Sequence, residues 1–284
     1  MSNKLIVILG PTATGKTHFA VNYAIKHNGE IISADSRQVY RGLDIGTGKD
    51  LAEYNVNGKV VQHHLIDIIE PTKDYSVFQF QKDFYHAYHS IIERDKTPIL
   101  CGGTGLYIES ILLGYDMVEV QPNHELRAKL AVLQKSELEG MLINLNPKLH
   151  NSTDLTSKKR IIRAIEIAMA KNISNHTQHK IPEYTVYGIS FDREVVRERI
   201  TNRLKYRLQN GMIEEVEALI KSGLSCERLD YLGLEYRYLG QFLQKEITYN
   251  DMFQRLNSAI HQFAKRQITF FRRMQKREIE INWI

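Results

Sequence analysis

The feature that most constrains this chain is the stretch GPTATGKT at residues 10–17, which follows the apolar run KLIVILG. The pattern G-x-x-x-x-G-K-T, placed between a strand and a helix, is that of a P-loop. Its glycines let the chain curl until backbone N–H groups point at phosphate oxygens. We therefore expect the loop to hold a phosphate chain, with Lys16 supplying positive charge and Thr17 holding Mg²⁺.

Strands and helices are predicted to alternate over residues 1–117, which is typical of a parallel α/β sheet with right-handed crossovers. The apolar runs KLIVILG, GEIISAD, HHLIDII and TPILCGG predict strands, and Ser76 is the expected N-cap of a long helix after the third run. Residues 118–183 predict an all-helical insertion. The run TVYGISF then predicts a return to the sheet, and helices punctuated by Gly211, Gly223 and Gly240 complete a core of residues 1–117 and 184–284.

Composition excludes a membrane protein, because no apolar run approaches the roughly 18 residues that a spanning helix needs. The first apolar stretch is too short for a signal peptide and runs straight into the loop. Two cysteines, Cys101 and Cys226, cannot build a disulfide framework, so the expected compartment is the reducing cytoplasm.

The net charge of +5 is weak evidence for a nucleic-acid partner, but its distribution says more. Residues 252–277 contain seven lysines and arginines and no acid, and residues 155–182 contain six against the single acid Glu166. Both windows could also be solvated helix faces. In residues 260–277, the side chains of Ile260, Phe263, Phe270 and Met274 share one helical face, which we interpret as core packing.

Asp35 follows the second predicted strand, at the sheet edge where α/β proteins bind ligands. Its carboxylate could take a proton from a nucleophile near the phosphate, or it could serve as a helix cap or an outer ligand of Mg²⁺.

A kinase would need another metal-holding acid at a neighbouring strand end. The run TPILCGG offers none, and Asp67 is a weaker candidate.

Six segments taken together strongly resemble the tRNA dimethylallyltransferase (isopentenyltransferase) family over residues 5–275. In chain order they are GPTATGKT, ISADSRQVYRGLDIGTGK, HHLIDIIEP with YSVFQF, GGTGLYIESIL, KRIIRAIEI and AKRQITFFR. The resemblance implies a nucleotide-kinase-like P-loop core and transfer of a dimethylallyl group from dimethylallyl diphosphate. The acceptor would be N6 of the adenosine 3′ of the anticodon in tRNA, with Mg²⁺ on the departing diphosphate. It also implies that the insertion binds the anticodon stem. We further expect a monomer.

The resemblance also implies site residues. Asp35 would be the general base, with Lys16 and Thr104 as further catalytic residues and Thr17 on Mg²⁺. The residues implied for the diphosphate are Gly10, Pro11, Thr12, Ala13, Thr14, Gly15, Lys16 and Thr17. Those implied for tRNA are Asp35, Ser36, Arg37, Gln38, Thr104, Arg127, Lys159, Arg160, Arg163, Arg237, Lys265, Arg266, Gln267 and Arg272.

The chain departs from the family pattern in the segment LDYLGLEYRYLG, where Leu232 replaces an arginine and Glu235 replaces a glycine. Arg228 or Arg237 could substitute for the arginine. The departure keeps open an adenylate isopentenyltransferase acting on free AMP, ADP or ATP. The sequence also leaves open a P-loop small-molecule kinase and a non-catalytic RNA-binding protein.

Overall fold

A computed structural model describes residues 4–147, 155–171 and 180–284, and its core is a parallel β-sheet. The strands are β1 (Leu5–Leu9), β2 (Gly29–Ser33), β3 (Asn55–Val56), β4 (Lys59–Val60), β5 (His63–His64), β6 (Thr97–Gly102), β7 (Tyr184–Gly188) and β8 (Asn282–Trp283). Strand order is β5-β2-β6-β1-β7-β8 with every pairing parallel, while β3 and β4 form a separate antiparallel pair. This confirms the predicted α/β class.

Helices connect the strands and follow β7 in an unbroken series. They are α1 (Lys16–His27), α2 (Val77–Glu93), α3 (Gly105–Leu112), α4 (His124–Ala131), α5 (Lys135–Leu145), α6 (Lys158–Lys171), α7 (Arg193–Gln209), α8 (Met212–Lys221), α9 (Cys226–Leu232), α10 (Leu234–Leu243) and α11 (Tyr249–Gln275). Ser76 caps α2 as predicted, because its hydroxyl accepts the Gln79 N–H in a capping box.

The sheet is buried on both faces, as its continuous apolar strands predict. Alternate residues of β1 pack into the hydrophobic clusters on opposite faces of the sheet. Val7 belongs to the cluster that contains Phe80 and Phe84 of α2, and Ile8 belongs to the cluster that contains the buried residues of α1. All five residues of β1 are buried. The P-loop therefore directly follows a strand whose residues are all buried in the core.

Three details differ from the sequence-based expectation. The third strand is only His63–His64, because Leu65 and Asp67 adopt φ values of 62° and 55° that end an extended strand. Gly240 lies inside α10, and the helical break falls instead at Gly233, between α9 and α10. The C-terminal strand β8, at the sheet edge beside β7, was not predicted.

The chain divides into two compact units, residues 1–114 with 181–284, and residues 115–180. In the described part of 115–180 the regular elements are α4, α5 and α6, packed around Leu130, Leu138, Leu142, Ile161 and Ile165. Across the described residues, no helix is long and apolar enough to cross a membrane.

Candidate active site

The P-loop closes in the curled conformation that its glycines predict. Gly15, the N-cap of α1, has φ 74°, and Ala13 also adopts a positive φ of 66°. A Cβ at Gly10 would lie 2.6 Å from the carbonyl oxygen of Ile189, so only glycine fits there. The Thr14 side chain is committed to the loop itself, because its hydroxyl donates to the Pro11 carbonyl at 2.9 Å.

Lys16 lies at the start of α1 with its ammonium folded over the loop, where Nζ donates to the Pro11 carbonyl at 2.8 Å. Burial lowers the pKa of Lys16 to about 8, and the nearby positive charge of Arg203 acts in the same direction. A cation destabilised in this way gains most from an anion placed beside it. The geometry therefore favours phosphate binding at this position.

Gln267 of α11 joins the P-loop to the end of β6. Its Oε1 accepts the Thr12 N–H at 2.8 Å, and its Nε2 donates to the Gly103 carbonyl at 2.9 Å. The side chain is buried. In the structure its amide holds two loops of the site together, and the tRNA contact that the family resemblance implies for Gln267 stays a prediction.

Two arginines of α7, Arg203 and Arg207, enter the site and were not predicted from the sequence. They stand four residues apart on one helical face. Arg203 donates to the Thr12 hydroxyl, and burial together with the charge of Arg207 lowers its pKa to about 10. Arg207 is buried, lies 3.3 Å from Asp50 and packs against Gly48, where a Cβ would collide with its guanidinium.

The basic residues of α7 stand out less in the sequence than those of α11, because Glu194 and Glu198 lie among the first of them and the acid-free run that follows, residues 199–213, is shorter. A periodicity search would have found them, since Arg199, Arg203 and Arg207 repeat at intervals of four.

The two candidates for the missing arginine of the family pattern, Arg228 and Arg237, are paired with acids. Arg228 Nη1 contacts Asp74 at 2.6 Å, and Arg237 Nε lies 3.4 Å from Asp230. The arginines nearest the P-loop are instead Arg199 and Arg203 of α7, which line the cavity around Lys16 and Thr17, whereas Arg207 lines the adjoining outer cavity.

Asp35 follows β2 and begins a turn in which its Oδ1 accepts the N–H groups of Arg37 at 2.8 Å and Gln38 at 3.4 Å. Asp35 therefore does not cap a helix, because the residues that follow it form a turn, and only one of its carboxylate oxygens holds that turn. Within the described residues, no donor is bonded to Oδ2. Thr104 Oγ1 accepts the Ser36 N–H at 3.0 Å, which ties this turn to the end of β6.

A loop at residues 44–48 closes the site from another side, and Glu215 of α8 anchors it. The Glu215 carboxylate accepts three consecutive N–H groups, from Asp44 at 2.9 Å, Ile45 at 2.6 Å and Gly46 at 3.1 Å. Tyr236 donates its hydroxyl to the same carboxylate at 2.8 Å.

Lys49, which is also buried, forms ion pairs with Asp44 and Asp67. Asp67 was the weaker candidate for a metal-holding acid. Its Oδ1 pairs with Lys49, and Asp67 lines neither of the two cavities described below, so it does not face the phosphate loop.

These elements enclose two adjoining cavities. The phosphate cavity, of about 320 Å³, contains Lys16, Thr17 and the carboxylates of Asp50 and Glu53 in its wall. The outer cavity, of about 460 Å³, contains Thr104, Arg207 and an apolar side formed by α3 and α11. The residues that line both cavities are Thr12, Asp35, Thr47, Gly103 and Arg203. Asp35 thus stands at the boundary between a place for phosphates and a second, more apolar space.

The basic residues of α11 have different surroundings. Lys265 and Arg272 are exposed, and Arg266 is exposed beside the outer cavity. Arg273 and Arg277 pair with the buried Glu109 of α3. The interpretation of the apolar stripe on α11 as core is confirmed for Ile260 and Met274, which are buried. It was wrong for Phe263, which is exposed, and Phe270 is half-buried.

In the unit 115–180, the predicted tRNA residues fall into two groups. Arg127 and Arg163 both contact the buried Glu166, which also accepts the Asn123 N–H at 2.9 Å. These donors outweigh burial and lower the pKa of Glu166 to about 2. Lys159 and Arg160, by contrast, are exposed.

Comparison with known proteins places this geometry in context. The IPP transferase family model matches residues 38–274, and the isopentenyl transferase model matches residues 3–60. A tRNA dimethylallyltransferase of Trichlorobacter lovleyi is 52% identical, covering all of this chain and 92% of the relative. One of Bacteroides fragilis is 50% identical over 99% of this chain and 92% of the relative. The crystal structure of the full-length tRNA isopentenylpyrophosphate transferase of Bacillus halodurans matches with a TM-score of 0.72 and 32% identity, covering all of this chain and 90% of that one.

Proposed function

The chain belongs to the IPP transferase family, and from this premise we propose that it transfers a dimethylallyl group from dimethylallyl diphosphate to N6 of the adenosine 3′-adjacent to the anticodon in tRNA. The observation that carries this proposal is the position of Asp35, which lines both the phosphate cavity and the outer cavity. A carboxylate at that boundary is where a base for an attacking amine is needed.

The phosphate cavity supplies the leaving-group half of the reaction. The C–O bond between the allylic carbon and the diphosphate breaks, and the electron pair leaves with the diphosphate. The Lys16 ammonium, the Arg203 guanidinium and the P-loop amides are placed to stabilise that developing charge. Because both cations are held by protein contacts before the ligand arrives, little reorganisation is needed when the bond breaks.

The outer cavity supplies the acceptor half. N6 of the flipped-out adenosine forms the new C–N bond, and its proton passes to Asp35. Oδ1 of Asp35 is occupied by the N–H groups of Arg37 and Gln38, which fixes the orientation of the carboxylate. The proton is therefore expected at Oδ2. Thr104 contributes by holding the Ser36 end of the same turn, so its role is positioning.

Mg²⁺ fits the phosphate cavity through its oxygen chemistry, since Thr17 lines it. The described residues contain no group of three or more His, Cys, Asp or Glu that could hold a metal. Thr17 would hold the ion together with diphosphate oxygens and water, and the carboxylates of Asp50 and Glu53 line the same cavity. When bound, the ion would neutralise charge on the leaving diphosphate.

Exposed cations are proposed to bind the RNA phosphates of the anticodon stem-loop, which gives affinity that falls with salt. The exposed residues that suit this role are Lys159, Arg160, Lys265, Arg266 and Arg272. The proposal extends to a cytoplasmic location, where tRNA is found, and to a monomer as the active form.

The proposal is tested by offering labelled dimethylallyl diphosphate and Mg²⁺ with either an unmodified tRNA or free AMP and ATP. Label is expected in tRNA only. Label in the free nucleotides would establish an adenylate isopentenyltransferase instead. Consumption of ATP without transfer of label would establish a kinase.

A further inference from the structure

We propose that an apolar shelf in the outer cavity stacks against an unpaired nucleobase that neighbours the reacting adenosine in the RNA, with Phe263 as the principal contact. The shelf consists of Leu106 at the start of α3 and Ile260, Phe263 and Phe270 of α11. This inference rests on the proposed function, because it assigns the RNA acceptor to the outer cavity.

The exposure of the shelf points to a ligand. Phe263 is 39% exposed and Leu106 is 38% exposed, and both line the same cavity as Asp35. An isolated exposed apolar side chain is ordinary on a protein surface. Here two of them come from different elements and meet half-buried Phe270 in one concave site, which is typical of a surface that a ligand covers.

The shelf lies on the acceptor side of the reaction. Lys16 and Thr17, which hold the phosphate end, line only the phosphate cavity, whereas the shelf residues line only the outer one. The dimethylallyl group is short and must place its reacting carbon at the boundary marked by Asp35. The space beyond that boundary is therefore left for the acceptor, and an aromatic side chain there suits a flat base.

The positive charge around the shelf favours a nucleic acid as its ligand. The Arg266 guanidinium lies 5.9 Å from the centroid of the Phe263 ring, and residues 252–277 contain one acid-free run of basic side chains. An arginine beside an exposed aromatic ring offers one contact for a phosphate and one for a base, which is how single-stranded RNA is commonly held. An unpaired base next to the flipped-out adenosine meets both requirements.

The test compares F263A and F263L with Y249A as a matched control. Tyr249 is an aromatic residue of the same helix that is 49% exposed and does not line either cavity. Anticodon stem-loops carrying 2-aminopurine on either side of the target adenosine report stacking by fluorescence, independently of transfer. Steady-state rates give KM separately for RNA and for dimethylallyl diphosphate.

We expect F263A to raise the KM for RNA by about 5- to 150-fold, the range that corresponds to loss of one stacked base. The KM for dimethylallyl diphosphate should not change, F263L should recover only part of the loss, and Y249A should match the wild type. With the wild type, one 2-aminopurine position should change its fluorescence on binding, and F263A should abolish the change.

The inference is overturned if F263A leaves the RNA KM and the fluorescence unchanged. It is also overturned if F263A raises the KM for dimethylallyl diphosphate instead, because the shelf would then hold the allylic chain. Failure of the wild type to transfer label would overturn the proposed function, while the fluorescence would still report on the shelf. Unaltered thermal unfolding of F263A excludes misfolding as the cause.

Discussion

Lys16 is the residue whose ionisation should control the phosphate site. Burial lowers its pKa to about 8 in the free protein, and a bound diphosphate would raise it again. Below this pKa the ammonium is already charged, so binding takes up no proton. Above it, binding must take up a proton, and the affinity for Mg²⁺-pyrophosphate is expected to fall as the pH rises.

Calorimetric titration of Mg²⁺-pyrophosphate from about pH 6.5 to about pH 9.5, a range that brackets the pKa of Lys16, measures this effect. Pyrophosphate itself titrates, so the quantity to compare is the ratio of wild-type to K16M affinity. The ratio should decline as the pH rises through the pKa of Lys16. A constant ratio would show that the Lys16 ammonium does not contact the diphosphate.

Single residues also show where the sequence was informative. The P-loop could be predicted from its own pattern, and Asp35 was singled out by its place after the second strand. Thr104 was implied only by the family resemblance, and the roles of both residues stay predictions. The role of Glu215 could not be predicted, because its carboxylate accepts backbone N–H groups some 170 positions away in the chain. Every residue type except proline has such a group, so the sequence does not mark the partners. Gln267 was noticed, but its pairing with Thr12 and Gly103 depends on the packing of α11.

Among the elements, the loop at residues 44–48 depends most on one side chain. Replacing Glu215 by alanine removes the acceptor of three loop N–H groups and of the Tyr236 hydroxyl. We expect hydrogen exchange at Asp44, Ile45 and Gly46 to accelerate by about tenfold or more, because each hydrogen bond contributes about 1 kcal/mol.

Mass spectrometry of peptides covering residues 41–50 measures this exchange. Glu214 is the neighbouring exposed acid of α8, so E214A is the matched control and should exchange like the wild type. Equal exchange in E215A and the wild type would mean that the loop is held by other contacts.

The helical unit 115–180 offers a contrast between a structural arginine and an exposed lysine. R127Q should lower the free energy of unfolding of this unit by about 1–2 kcal/mol, because the buried Glu166 loses two hydrogen bonds from Arg127. K159Q should leave the stability within about 0.5 kcal/mol and weaken tRNA binding instead.

Hydrogen exchange in α4 and α6 together with tRNA binding at two salt concentrations separates these effects. The Glu166 contribution is present above the carboxyl pKa of the unfolded chain and is lost as the pH falls towards 2, so the difference between wild type and R127Q should shrink in acid. Lower stability of K159Q than of R127Q would reverse the assignment.

At the scale of the whole molecule, the alternation of strands and helices was sufficient to predict the α/β class and the position of the P-loop. It was insufficient for β8, since Asn282–Trp283 is a two-residue strand that exists only because β7 presents an open edge. It also failed to predict the two adjoining cavities. These are formed where α7, α9, α10 and α11 pack around the ends of β1, β2 and β6, and such packing depends on tertiary contacts.

The central claim is that Asp35, at the boundary of the two cavities, accepts the proton of the attacking amine. Its most direct test is the single-turnover rate of dimethylallyl transfer to tRNA by D35N, with pyrophosphate and tRNA affinities measured in parallel. Asparagine keeps an oxygen for the Arg37 and Gln38 N–H groups, so the turn should survive while the base is lost. We predict a rate at least about 100-fold lower with both affinities retained. Transfer by D35N at the wild-type rate would contradict this assignment.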